Sequence, residues 1–188
     1  MKVLKYLLLP IALIGCNEPA PRKPVKVKSG SFFTESVERN KRILEKEEAQ
    51  IQKIIVKDST HSYSASASGF WYYKLVENDS VAPIPETDDT VLLSYSLTSF
   101  DNDTIYSQDD IGIVNYRVDK QQLFPGLRNG IRLLREGERA LFLFPSSQAY
   151  GYHGDENKIG PITPLKATVE IIKVNKKADS LSQKPEIQ

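Results

Sequence analysis

Apolar positions along this chain follow two spacings, and each predicts a different kind of element. Between residues 34 and 57, Val37, Leu44 and Ile51 recur every seven residues, with Ile43, Ile54 and Ile55 beside them and charge on the remaining face. That period predicts one helix over 34–57, capped by Thr34 or Ser36, with glutamates in its first turn. The stripe is thin, because Asn40 and Glu47 occupy the alternate core positions of a coiled coil. Such a helix either lies on its own domain or meets a partner or a second copy. After it the period shortens to two. Residues 69–76 turn aromatic and β-forming, 90–97 read as a strand, and a turn at Asp101-Asn102 leads into a return strand ending at Ser107. Residues 114–118 and 165–174 read as two more strands. In the second, Ala167, Val169, Ile171 and Ile172 are apolar and Glu170 stands among them. The run Leu-Phe-Leu-Phe at 141–144, closed by Pro145, predicts a buried strand. A short helix precedes it. Pro125 suits a first helical position, Ile131 and Leu134 share one face, and Gly137 is expected to stop it.

The segments between these elements divide the chain. Residues 16–33 carry Pro19, Pro21, Pro24 and several lysines and read as a tether. Residues 58–68 are rich in serine and read as a polar linker, and 176–188 as a polar tail. One domain over 69–175 remains, within the usual size of about 100–120 residues for such a unit.

Composition narrows the functions open to it. The 188 residues carry a formal net charge of +1 and no basic stripe, so nothing suggests nucleic acid. A single cysteine, Cys16, precludes an internal disulfide, and with only His61 and His153 a histidine–cysteine metal site is not expected. Cys16 has another use. Lys2 and Lys5 form a positive start, residues 7–14 a short apolar run, and Leu13-Ile14-Gly15-Cys16 closes it. This tetrapeptide resembles the lipobox of bacterial lipoproteins. That resemblance implies a signal peptide over 1–15, cleavage before Cys16, and lipidation of Cys16. The expected location is the bacterial cell envelope, lipid-anchored, on the periplasmic face. The other reading, an ordinary secretory signal, lacks a better-placed cleavage site.

The spacing from Leu123 onward carries a second resemblance. Leu123-Phe-Pro-Gly126-Leu-Arg-Asn-Gly130, then Gly137-Glu138, then Phe144-Pro-Ser-Ser-Gln-Ala149-Tyr150-Gly151 resembles, without a gap, the second half of an FKBP-type peptidyl-prolyl isomerase. Tyr95, and Ile105-Tyr106-Ser107 ten residues further on, fit the first half. The family implies an α+β fold, an antiparallel sheet half-wrapped around one short helix, here preceded by a separate N-terminal helix. It implies no cofactor and no metal, and proline-containing polypeptides as clients. Carried over position by position, Tyr95, Phe124 and Tyr150 would be catalytic, with the Phe124 N–H and the Tyr150 hydroxyl holding the substrate carbonyl. Ile105, Tyr106, Leu123, Leu127 and Ile159 would bind substrate, Leu127 forming the floor.

The departures from that pattern make the pocket less aromatic. Leu127 replaces a tryptophan and Ile105 a phenylalanine, and the phenylalanine expected on the last strand falls near Leu165 or Ala167. Tyr106 stands where an aspartate is usual, which predicts the loss of a carboxylate acceptor. Activity is therefore expected to be weak. The alternative is a non-catalytic FKBP-like binding module, with the pocket or the helix at 34–57 recruiting an envelope partner or a second copy. The order of lipobox, helix and short domain resembles the gliding-motility-associated FKBP lipoproteins of the Bacteroidetes.

Overall fold

The computed structural model describes residues 29–78 and 81–177. The expected signal peptide, Cys16, most of the tether and residues 178–188 lie outside the described residues. Among the described residues no helix is long and apolar enough to cross a membrane.

The seven-residue period gives α1 (Ser29–Lys57), which begins five residues before its predicted start. Its stripe is used unevenly. Ile51 is wholly buried, whereas Leu44 is 37%, Val37 65% and Phe33 66% exposed. Only the C-terminal half rests on the domain.

Seven strands make one antiparallel sheet: β1 (Ser64–Ala65), β2 (Trp71–Val76), β3 (Thr90–Thr98), β4 (Thr104–Tyr106), β5 (Val114–Arg117), β6 (Arg139–Phe144) and β7 (Leu165–Asn175). Their order is β1-β2-β6-β7-β3-β4, with β5 also pairing β3. β3 shows why period two makes a strand. Val91, Leu93, Tyr95 and Leu97 are buried, and the residues between them are half-exposed. β6 differs, since Phe142, Leu143 and Phe144 are all wholly buried. Alternation sends Phe142 and Phe144 into the main core and Leu141 and Leu143 to the opposite face. On that opposite face Leu141 shares a cavity with Ile54 and Lys57 of α1. The continuous apolar run thus marks a strand covered on both sides, by the core below and by α1 above.

α3 (Pro125–Ile131) crosses the core face, with Pro125 at its start as predicted. Gly126 permits the close approach. A Cβ there would lie 2.5 Å from the Phe144 ring and 2.6 Å from the carbonyl oxygen of Gln148. The helix ends at Arg132, earlier than the predicted stop at Gly137. Tight turns follow, with the N–H groups of Leu133 and Leu134 bonded to the carbonyls of Gly130 and Ile131. Gly137 serves the next element instead. At φ +79° its N–H reaches the carbonyl of Ile171 at 2.7 Å and starts β6 beside β7.

A second helix, α2 (Gln108–Ile111), was not foreseen. Ser107 and Asp110 close a reciprocal capping box around its first turn. The expected linker at 58–68 is built into the domain. Asp58 accepts from Thr60 Oγ1 at 2.7 Å and from the Tyr63 hydroxyl at 3.1 Å, and His61 stacks on Tyr73 with ring centroids 4.1 Å apart. Short-range bonds from Asp, Thr and Ser can order a segment that contributes little to a core. The first two tail residues are also held. Lys176 Nζ lies 3.0 Å from Asp89 Oδ2, and the Lys177 N–H reaches Asp89 Oδ1 at 3.0 Å.

Candidate functional site: a tyrosine-lined cavity beside the short helix

Three elements bring their side chains to one place. Tyr95 comes from the middle of β3, where alternation turns it inward, and is 8% exposed. Phe124 stands just before α3. A residue preceding proline is driven to extended backbone, and Phe124 has φ −63° and ψ 152°. Tyr150 follows a single 3₁₀ turn (Ser146–Gln148) that bends the chain away from β6 after Pro145. The Phe124 and Tyr150 rings meet at 5.1 Å, and Phe124 sets its edge against Phe144 at 5.4 Å. Tyr95, Leu123, Phe124 and Tyr150 line an open cavity of about 480 Å³ together with Gln122, Pro125 and Ala149.

Burial pushes the Tyr150 hydroxyl up to about 12, helped by Tyr95 and the Asp155 charge nearby. It therefore stays a proton donor throughout the neutral range. Among the described residues no hydrogen bond engages it, nor the N–H of Phe124. Two donors at one apolar wall can hold a carbonyl oxygen while the atoms beyond it lie against rings.

A second, smaller cavity adjoins the first, lined by Tyr95, Leu97, Tyr106, Ile111, Tyr150 and Asp155. Here the structure corrects an expectation. Tyr106 does occupy the place of the usual aspartate, yet a carboxylate is present. The Tyr106 hydroxyl donates to Asp155 Oδ2 at 2.5 Å and accepts from Asn157 Nδ2 at 3.0 Å. The other oxygen of Asp155 accepts the N–H of Ile159 at 2.7 Å and of Asn157 at 3.0 Å. Burial alone would raise the Asp155 carboxyl. The Tyr106 hydroxyl and the Ile159 and Asn157 N–H groups outweigh it and hold the group below its ordinary value. Asp155 thereby ties the loop after Tyr150 to β4.

A pH prediction follows from the sign of that shift. The folded value lies below the unfolded one of about 4, so the carboxylate's contribution is full above that pH and is lost as pH falls through the folded value. Asp155→Asn should cost about 1 kcal/mol at pH 7, and the difference from wild type should be smaller at pH ~3, below the unfolded value. Urea unfolding of both proteins at the two pH values checks this. A gap that stays constant would show that the charge of Asp155 carries no part of the effect.

The other predicted positions differ in depth, and of them only Leu123 lines the larger cavity. Ile105 and Leu123 are half-buried against the core, while Leu127 is wholly buried and Ile159 3% exposed. Leu127 therefore sits beneath the wall and does not form an open floor. Leu165 and Ala167 are aliphatic and wholly buried, and neither lines the cavity. Sequence reading passed over Gln122, Pro125, Ala149, Leu97, Ile111 and Asp155. Ala149 and Pro125 were within the matched spacing, but Asp155 had no local signal.

Fold and site together define a class. Over residues 82–172 the chain matches the family model of FKBP-type peptidyl-prolyl cis-trans isomerases. It is 30% identical over 143 residues to a Neisseria meningitidis serogroup B protein named "Probable FKBP-type peptidyl-prolyl cis-trans isomerase FkpA", covering 75% of this chain and 50% of that one. The chain spans about half the length of the curated relatives it matches. Among solved structures, a peptidyl-prolyl cis-trans isomerase from Pseudomonas syringae pv. tomato superposes with a TM-score of 0.59 at 22% identity, over 72% of this chain and 96% of that one. FkpA from Escherichia coli gives 0.57 at 22% identity, over 79% and 70%. Both share the fold.

Proposed function

We propose that this protein is a peptidyl-prolyl cis-trans isomerase acting on proline-containing segments of exported proteins, held at the bacterial envelope by lipid on Cys16. The observation that carries the catalytic part is the convergence of Tyr95, Phe124 and Tyr150 around two uncommitted donors. The reaction makes and breaks no covalent bond. Amide resonance sets a barrier of about 18–20 kcal/mol, and conjugation is lost in the twisted transition state. An apolar wall leaves the more polar planar amide poorly solvated and so favours the twisted form. The Tyr150 hydroxyl and the Phe124 N–H hold the carbonyl oxygen while the far side of the bond turns.

Tyr150→Phe removes one neutral hydrogen bond, worth about 0.5–1.5 kcal/mol, so kcat/KM on a proline peptide should fall only several-fold. An unchanged rate would mean that the hydroxyl does not touch substrate.

The anchor rests on Lys2, Lys5 and the Leu13-Ile14-Gly15-Cys16 sequence after a short apolar run. Cells fed a clickable palmitate should label the wild type and not Cys16→Ser. Equal labelling of the two ends the anchor reading.

The second reading is a binding module in an envelope or gliding-motility assembly. It is favoured by the aliphatic replacements at Ile105 and Leu127 and by the exposed line of Phe33, Val37 and Leu44 on α1, which suits a partner helix or a second copy. A wild type that binds proline peptides without turning them over would select this reading.

A further inference from the structure

The turn that carries Tyr150 is organised around one peptide. The carbonyl of Ser146 accepts from the N–H of Ala149 at 3.1 Å and of Gly151 at 2.9 Å, the residues on either side of Tyr150. The Pro145 carbonyl accepts from Gln148 at 2.9 Å and from Ala149 at 3.1 Å. From one side α3 presses on this turn, through the close approach of Gly126 to the carbonyl of Gln148. From another side comes α1. The N–H of Ser146 donates to Oε2 of Glu47 at 2.9 Å, across 99 positions of chain. Both residues are 5% exposed.

Glu47 is an unusual occupant of its place. It stands in the apolar stripe between Leu44 and Ile51, where a leucine would bury more surface. A buried carboxylate is costly unless it is hydrogen-bonded, and a bond from N–H to a charged acceptor is about twice as strong as a neutral one. The neighbouring packing is incomplete. A cavity of about 210 Å³ separates Ile43 and Leu44 of α1 from Tyr152 and Ile162 of the loop. Contact alone therefore does not fix the turn on this side, and the Glu47 bond supplies direction that packing does not.

We propose that Glu47 is a positioning residue. By holding the Ser146 peptide it sets the turn whose two other bonds flank Tyr150, and so aims the Tyr150 hydroxyl into the cavity. α1 then belongs to the site through its C-terminal half, whatever its N-terminal half meets. The proposal rests on Tyr150 holding the substrate carbonyl, and the test separates the two claims.

The test uses the full chain with Glu47→Gln, which keeps an oxygen acceptor, and Glu47→Leu, which keeps the volume and leaves the Ser146 N–H unpartnered. Amide hydrogen exchange followed by NMR should be about tenfold faster at Ala149 and Gly151 in Glu47→Leu. It should be near wild type in Glu47→Gln, and unchanged at Val169 of β7 in both. In the proline-peptide assay, Glu47→Leu should lower kcat/KM several-fold, no more than Tyr150→Phe does, and Tyr150→Phe should cost little more in that background. Unchanged exchange in Glu47→Leu overturns the proposal whether or not the protein turns over. Faster exchange combined with fully multiplicative rate losses also overturns it, because Glu47 would then hold the turn without acting through Tyr150. A wild type without turnover defeats the isomerase reading instead. The same four-protein cycle is then read in peptide affinity, with the same two criteria.

Discussion

Phe124→Asp is expected to abolish both turnover and proline-peptide binding, a loss of more than about 100-fold in kcat/KM. Phe124 is 8% exposed, with Tyr150 at 5.1 Å on one side and Phe144 at 5.4 Å on the other. A carboxylate there would draw water to the wall against which the proline must lie. That water would solvate the planar amide and remove the preference for the twisted form. The same charge leaves no apolar surface for binding. Phe124→Leu, which keeps the wall apolar, should retain most of the activity, and a thermal melt of each variant reports on the fold. Should the wild type bind without turnover, Phe124→Asp removes binding alone. Full activity in Phe124→Asp would mean that the substrate sits elsewhere.

Phe142→Ala should have the largest effect on stability, about 3–5 kcal/mol, or a Tm lowered by roughly 6–20 °C. The Phe142 ring is wholly buried and stacks on Tyr72 at 5.6 Å and Phe144 at 5.5 Å, with Phe70 edge-on at 5.8 Å. It also lies against Gly130, where a Cβ would come within 3.0 Å of the ring. Its removal opens a void at the point where β2, β6 and α3 meet, and the three neighbouring rings cannot all relax into it. A melt within about 2 °C of wild type would show that the cluster repacks freely.

What could be read from the sequence was what local spacing encodes. β3 announced itself by alternation and β6 by a run too apolar for a one-sided strand. Pro125 marked the start of α3, and the joint spacing from Gly126 to Gly151 marked the neighbourhood of the site. Ser107-Gln-Asp-Asp110 held the signature of a capped helix and could have been read as one. The parts that stayed hidden depend on distant pairs. Glu47 looked like a flaw in an apolar stripe, since its partner is a backbone N–H 99 positions on. The substitution at Tyr106 looked like a lost acceptor because Asp155, which answers it, is 49 positions away in a loop without periodicity. Gly137 was misread for a related reason. Its position after the α3 segment suits a helix stop, but its bond is to Ile171.

The position of β7 has a consequence for the timing of folding. The last strand in the chain is the middle of the sheet. Residues 165–170 pair with β6 on one side and 166–175 with β3 on the other. Until it arrives, the two halves of the sheet have no shared edge, and the register of β3 is fixed only by the short strands β4 and β5. A chain emerging from its N-terminus therefore cannot complete this domain until β7 has been delivered. Closing contacts over some 75 residues makes that final step slow beside local helix formation. In the meantime the unfinished chain leaves the β7-facing edges of β3 and β6 unpaired, where a strand of another chain could add itself.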